Sequence, residues 1–189
     1  MGTAWKQQIA NKNFLSPIGF KFVLAKYPKV AYLSQSANIP SINLGILEQP
    51  TMLGRSIPTD GNITYDPFNL QFIVDEDIEN YLILHNWIRG LGAPDNLRER
   101  RQFMDAQSGL TVGNTGMETR FADATLTVLN SNFKSNFQVV FYDIIPTNLS
   151  ALDFNATVDG SDYAAASVTF QYRSYEIQKL EGARDTKLT

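Results

Sequence analysis

Ser167-Val168-Thr169-Phe170-Gln171-Tyr172-Arg173 sets Val168, Phe170 and Tyr172 on one side and Ser167, Thr169, Gln171 and Arg173 on the other. Side chains alternate across a β-strand, so this is a strand with one buried face and one wet face. The same period runs outward through the chain. Ala124, Leu126 and Val128 are separated by Thr125 and Thr127. Leu70, Phe72 and Val74 share one side of their run, and Phe20, Phe22 and Leu24 share one side of theirs, with Gly19 and Lys21 opposite. Residues 137–145 are apolar on both faces, the pattern of a central strand covered from each side. Shorter candidates lie at 30–34, 42–47 and 62–65. Seven or eight strands punctuated by Pro and Gly predict a mainly β fold, an antiparallel β-sandwich or barrel.

One helix interrupts the alternation, over about 77–90. Asp75-Glu76-Asp77 supplies capping oxygens and negative charge where a helix N-terminus favours them. Ile78, Tyr81, Leu82, His85, Ile88 and Leu91 follow at spacings of three and four, predicting an apolar stripe laid on the sheet. Gly90 and Gly92 mark the end, and Pro94 follows.

Three segments read differently from core. Residues 1–13 form a polar N-terminal arm carrying Trp5. Residues 92–116 form a long loop with Gly109, Gly113 and Gly116 and the cluster Arg98-Glu99-Arg100-Arg101; a loop that long in a compact domain is usually an interaction element. Residues 179–189 form a polar C-terminal tail with little to bury. No repeat or linker divides the chain, so 1–189 is read as a single domain.

The 189 residues include no Cys and one His, which removes disulfide scaffolds, thiolate zinc sites and cysteine nucleophiles. His85 on the helix stripe reads as a packed, hydrogen-bonded residue; with no second His and no G-x-S-x-G elbow, a serine triad is unsupported. Consecutive Asp75, Glu76 and Asp77 diverge on a helix and serve better as caps than as metal ligands. No phosphate-cradling glycine motif follows a strand. Two carboxylates suffice for glycoside hydrolysis, but nothing singles out a pair. No catalytic residue, cofactor or metal site is expected. Neutral polar side chains (15 Asn, 10 Gln, 12 Ser and 14 Thr) outnumber the 35 charged ones, which suits wet β-faces more than Lys/Glu helices. A net charge of −3 argues against sequence-reading of nucleic acid. The Arg98-to-Arg101 cluster stays open between a solvated segment with local ion pairs and a contact to phosphate or an acidic partner. No apolar run approaches the roughly 18 residues of a membrane span, and no signal core opens the chain, so no membrane anchor is expected.

An ordered series of short signatures carries a resemblance. Asn13-Phe14-Leu15-Ser16-Pro17 leads into an aromatic strand. Asn38-Ile39-Pro40-Ser41, Leu44-Gly45, Gln49-Pro50-Thr51 and Asp60-Gly61-Asn62-Ile63-Thr64-Tyr65 follow. Then come Phe72-Ile73-Val74-Asp75-Glu76-Asp77, Asn80-Tyr81, Trp87-Ile88-Arg89-Gly90-Leu91, Ile145-Pro146-Thr147-Asn148-Leu149-Ser150 and Val168-Thr169-Phe170-Gln171-Tyr172. Together, over about 13–91 and 117–177, they resemble the tail tube proteins of T4-like contractile-tailed bacteriophages.

The resemblance implies a β-sandwich or barrel with a flanking helix, shared with type VI secretion tube proteins. It implies a non-enzymatic virion protein, assembled in the host bacterial cytoplasm. Its homohexameric rings stack into the inner tube of a contractile tail, a conduit for genome ejection. Implied partners are further copies of the chain, the tail sheath protein, the baseplate hub or tube initiator, the tail terminator, and the tape-measure protein and phage DNA in the lumen. Trp5, Phe14, Arg98, Arg100 and Arg101 are the expected inter-subunit contacts. At −3 per subunit, six copies carry −18, and charge of that sign in the bore would repel DNA phosphates. Where the pattern departs from the family, in the long loop, the tail and Tyr172-Arg173-Ser174-Tyr175, the role within the tube is left open. Alternatives are a tube-initiating or tube-completing protein at the baseplate or tail end, and a type VI-like tube protein.

Overall fold

The computed structural model describes residues 15, 19–27, 33–50, 54, 56–92, 98, 100–102, 120–154, 163–181 and 184–187. Ten strands and one long helix make up these residues: β1 (Phe20–Leu24), β2 (Ser34–Ala37), β3 (Ile42–Pro50), β4 (Ser56–Tyr65), β5 (Phe68–Ile73), α1 (Glu79–Gly92), β6 (Ala122–Leu129), β7 (Ser135–Leu149), β8 (Ala165–Gln171), β9 (Ser174–Glu181) and β10 (Arg184–Lys187). All pairings are antiparallel. The expected mainly β sandwich is what forms.

β7 organises the fold. Its first part pairs with β6 and β9, and its second part, from Ile145, pairs with β8. One half-sheet therefore runs β1-β6-β7-β9-β10 and the other β7-β8-β5-β2. The passage between them falls at Asp143, whose φ is +54°. Asp tolerates this left-handed backbone better than most residues because its short carboxylate bonds locally. Here the Asp143 N–H donates to Asp123 Oδ1 at 3.3 Å, and Asp143 Oδ2 accepts from Arg173 Nε at 2.9 Å.

The two halves close on an aromatic centre. Phe68 stands 5.3 Å from Phe22, 4.8 Å from Phe141 and 6.0 Å from Phe170, ring centre to ring centre. Leu24, Leu126 and Val139 from one half and Leu70, Phe72 and Val168 from the other complete the core. These are the alternate residues that the period of two places on one face.

The helix begins and ends near its expected bounds but its buried face is turned: of the expected stripe, Tyr81 and Leu91 pack against the core and Ile88 is half-buried. Asn80, Leu84, Trp87 and Gly90 point inward. Ile78, Leu82 and His85 are exposed, so His85 is not the packed residue its position suggested. The helix is apolar nearly all round between Tyr81 and Leu91, which gives two stripes by spacing alone. Asn80 selects between them. Its side-chain amide donates to Ile73 O at 2.8 Å and its Oδ1 accepts from Tyr81 N at 2.8 Å, a tie that must be buried against the end of β5. Ile78 instead takes φ +58° just before the helix, while Asp75 Oδ1 caps the N–H of Glu79 at 3.0 Å. Trp87 fixes the far turn: it packs on Tyr27 and Phe170, and its indole N–H donates to Arg120 O at 3.3 Å.

The polar C-terminal segment also differs from expectation. Residues 178–181 and 184–187 form an antiparallel pair, Arg184 opposite Glu181 and Lys187 opposite Gln178. Backbone pairing at a sheet edge needs no apolar burial, which is why a low-hydrophobicity reading missed it.

Candidate assembly interface

β3 and β4 pair with each other and with no other strand among the described residues. No residue of either strand is buried. Yet Ile42, Leu44, Ile46, Leu47, Ile57 and Ile63 lie on this hairpin, each between 54% and 70% exposed. A two-stranded hairpin alone in water is marginally stable, and apolar clusters of this kind on a surface mark interaction sites.

Among the described residues the hairpin is anchored at its root. Tyr65 lies 5.8 Å from Tyr172 and 5.5 Å from Tyr175, ring centre to ring centre. The Tyr172 hydroxyl donates to Asp66 O at 2.7 Å and the Tyr175 hydroxyl to Pro40 O at 3.1 Å, so each grips one leg. Asp66 closes the root: its carboxylate accepts from the Ser41 hydroxyl, and its N–H donates to Ser41 O at 3.1 Å. Burial, followed by Tyr175, Asp66 and Tyr65, pushes the Tyr172 hydroxyl up to about 12. It therefore stays a donor across ordinary pH.

Midway along the hairpin a bulge shifts the register between Leu44 and Ile46. Gly45 and Gly61 meet there, and a Cβ on Gly61 would stand 2.4 Å from Gly45 O. Only glycine permits so close a backbone approach, and an extra residue on one strand is what a bulge inserts.

The sheets add a second assembly feature. The four strand segments of the β7-β8-β5-β2 half, residues 145–149, 165–171, 68–73 and 34–37, contain no charged residue. Asn69, Gln71, Ser167 and Thr169 face outward there, with Thr169 Oγ1 bonded to Asn69 Oδ1 at 2.9 Å. Edge strands of monomers are commonly protected by charge or proline. β2, which pairs only with β5 among the described residues, carries neither.

Of the contacts expected from sequence, Arg98 and Arg101 are exposed and Arg100 is half-buried, all on helical backbone beyond α1. They are not brought to the hairpin by any described contact. Trp5 and Phe14, the N-terminal arm and residues 103–116 of the long loop lie outside the described residues. Among the described residues no group of three or more His, Asp or Glu could hold a metal ion, and no helix is long and apolar enough to cross a membrane. The hairpin was visible in the sequence only as two short strand candidates. The signal that could have found it is the pair Gly45 and Gly61 within strands whose apolar residues exceed what one face can hold.

A sandwich with one covering helix, an exposed apolar hairpin and an uncharged edge strand has the surfaces of a β-class assembly subunit. The model of the phage tail tube protein family matches residues 4–178, and the chain belongs to that family. It is 26% identical over 150 residues to the tail tube terminator protein of Enterobacteria phage T4, covering 77% of each chain. Its fold is similar to the tube-terminating cap of the anti-feeding prophage, with a TM-score of 0.61, 16% identity, and coverage of 95% of this chain and 100% of that one. It is also similar to a chain of the extended sheath–tube complex of PVC, an extracellular contractile injection system, with a TM-score of 0.58, 15% identity, and coverage of 95% and 99%. The chain is thus a protein of the phage tail tube family whose fold is that of tube and tube-terminating cap proteins.

Proposed function

We propose that this chain forms the ring that completes the inner tube of a contractile phage tail. The likeness to the T4 tube terminator, over the same 77% share of both chains, carries this reading. In it, the hairpin joins copies into a six-membered ring, and the uncharged β2 edge lies on the ring face that docks on the last ring of the tube. Tail sheath, tube and, in transit, tape-measure protein and DNA are the neighbours this position implies. Trp5, Phe14, Arg98, Arg100 and Arg101 remain the proposed contacts to adjoining rings. If the β7-β8-β5-β2 half lines the bore, its outward side chains are Thr, Ser, Asn and Gln, whereas the other half carries Lys21, Asp123 and Glu176 in its strands. The uncharged half offers phosphate no fixed cation to bind.

A repeating tube subunit is the second reading, favoured by the hairpin, which equips a copy to hold onto another. Purified protein imaged in negative stain separates the two. Discrete rings that do not lengthen with concentration support the completing role; long tubes grown from this chain alone overturn it.

A further inference from the structure

The β3–β4 hairpin carries its apolar residues on opposite faces in its two halves. In an antiparallel pair, residues directly opposite share a face. In the root half, Leu44 stands opposite Ile63 and Ile42 opposite Tyr65, and Ile46 continues that side. Beyond the Gly45/Gly61 bulge the same side turns acidic, with Asp60 opposite Ile46 and Glu48 following. The other side of the tip half carries Leu47, opposite Thr59, and Ile57, opposite Gln49. In the root half that other side is polar, with Asn43 opposite Thr64. The extra residue lies in β4, so the bulge sets Ile57 on the face opposite Ile63, where Leu47 already lies by the ordinary alternation of β3.

We infer that the hairpins stack head to tail, the tip face of one copy (Leu47, Ile57) lying on the root face of a second copy (Ile42, Leu44, Ile63). Each patch is then the other's cover. The carboxylates select this arrangement: Glu48 and Asp60 prevent the tip from using the same face as the root, since they would be set against isoleucine without a partner. A two-fold pair of root faces would leave both tips uncovered, whereas one head-to-tail contact repeated around a ring covers every half of every copy. Length permits it. The nine residues of β3 span roughly 30 Å at about 3.3 Å each, beyond the radius of gyration of roughly 16 Å for a chain of this size. The root is held by Tyr65, Tyr172 and Tyr175, and no residue of the two strands toward the tip is buried. This inference rests on the ring reading above and specifies the contact that closes the ring.

The test uses two double variants, Leu44→Glu with Ile63→Glu on the root face and Leu47→Glu with Ile57→Glu on the tip face. In sedimentation velocity each alone is expected to stay at the 21.2 kDa monomer. Mixed one to one, they retain one intact tip-on-root contact, so a species of twice that mass is expected and nothing larger. A tip variant that self-associates, or a mixture that stays monomeric, overturns the stacking. Because the chain has no Cys, a second measurement is clean: oxidation of Leu44→Cys mixed with Leu47→Cys should give crosslinked 44–47 dimers, and neither protein alone should. Absence of that crosslink in rings that otherwise form removes the stacking while leaving the ring reading intact. Absence of rings in the wild type removes the ring reading itself.

Discussion

Replacing Gly61 with Ala perturbs the hairpin at its tightest point and nowhere else. The added Cβ would lie 2.4 Å from Gly45 O, 2.8 Å from Gly45 C and 3.3 Å from Gly45 Cα. Carbon and oxygen settle at about 3.3 Å or more, so the strands must part by about 1 Å locally. A ladder bond stretched from about 2.9 Å to about 3.9 Å is no longer a hydrogen bond. Losing two or three at about 1 kcal/mol each gives roughly 2–3 kcal/mol, in line with ordinary overpacking. For a core residue that would be a modest loss. For a hairpin with no buried residue it is enough to melt the element, because such a pair starts near zero net stability. The sandwich, whose core lies in the other strands, should melt within about 2 °C of wild type. Hydrogen exchange on the assembled protein should show protection lost over 42–50 and 56–65 and kept elsewhere, with rings lost. Gly45→Ala, whose Cβ meets Asn62 O at 3.2 Å, should give a weaker version. Wild-type protection of the hairpin in the Gly61 variant would refute the reasoning, as would collapse of the whole domain.

Two other perturbations report on the body. Trp87→Ala removes a side chain 1% exposed that touches Tyr27 and Phe170, at a cost of about 3–5 kcal/mol. At roughly 2–4 °C per kcal/mol for a domain of this size, calorimetry should find the melting point about 6–20 °C lower, and a shift under 3 °C would contradict the packing. Tyr172 gives a pH signature. The folded state holds its proton up to about pH 12, against about 10 in the unfolded chain, so its contribution is complete below pH 10 and lost as pH rises through 12. Denaturant titrations between pH 9 and 12 should show wild type losing stability more steeply than Tyr172→Phe; parallel curves would mean the hydroxyl is not buried in the folded protein.

Local periodicity made the core legible. The alternation at 124–128 and 167–173 places Ala124, Leu126, Val168 and Phe170 inside, and they are buried. The double-sided run at 137–145 marks the strand that both half-sheets share. Its true extent, Ser135–Leu149, was obscured because the turn at Asp143 and the irregularity between Pro146 and Asn148 break the period just where the strand changes partners. The helix face was ambiguous for the opposite reason, too many apolar residues, and a polar residue, Asn80, decided it through bonds that spacing does not encode. The hairpin was least legible. Alternation reports that a face is covered but not by which molecule, and the bulge at Gly45 and Gly61 inverts which residues share that face. Tyr172 and Tyr175, which fix the hairpin root, sit more than a hundred residues away from it in sequence and are brought there only by the closed sandwich.

The proposed role of this chain is to complete a tube instead of extending one. Its most direct test is to mix gold-labelled protein with preformed tubes of the same tail and record label positions by electron microscopy. Label at one end of each tube, at a constant number of copies whatever the tube length, is the predicted result. Label distributed along the tubes in proportion to their length would contradict it.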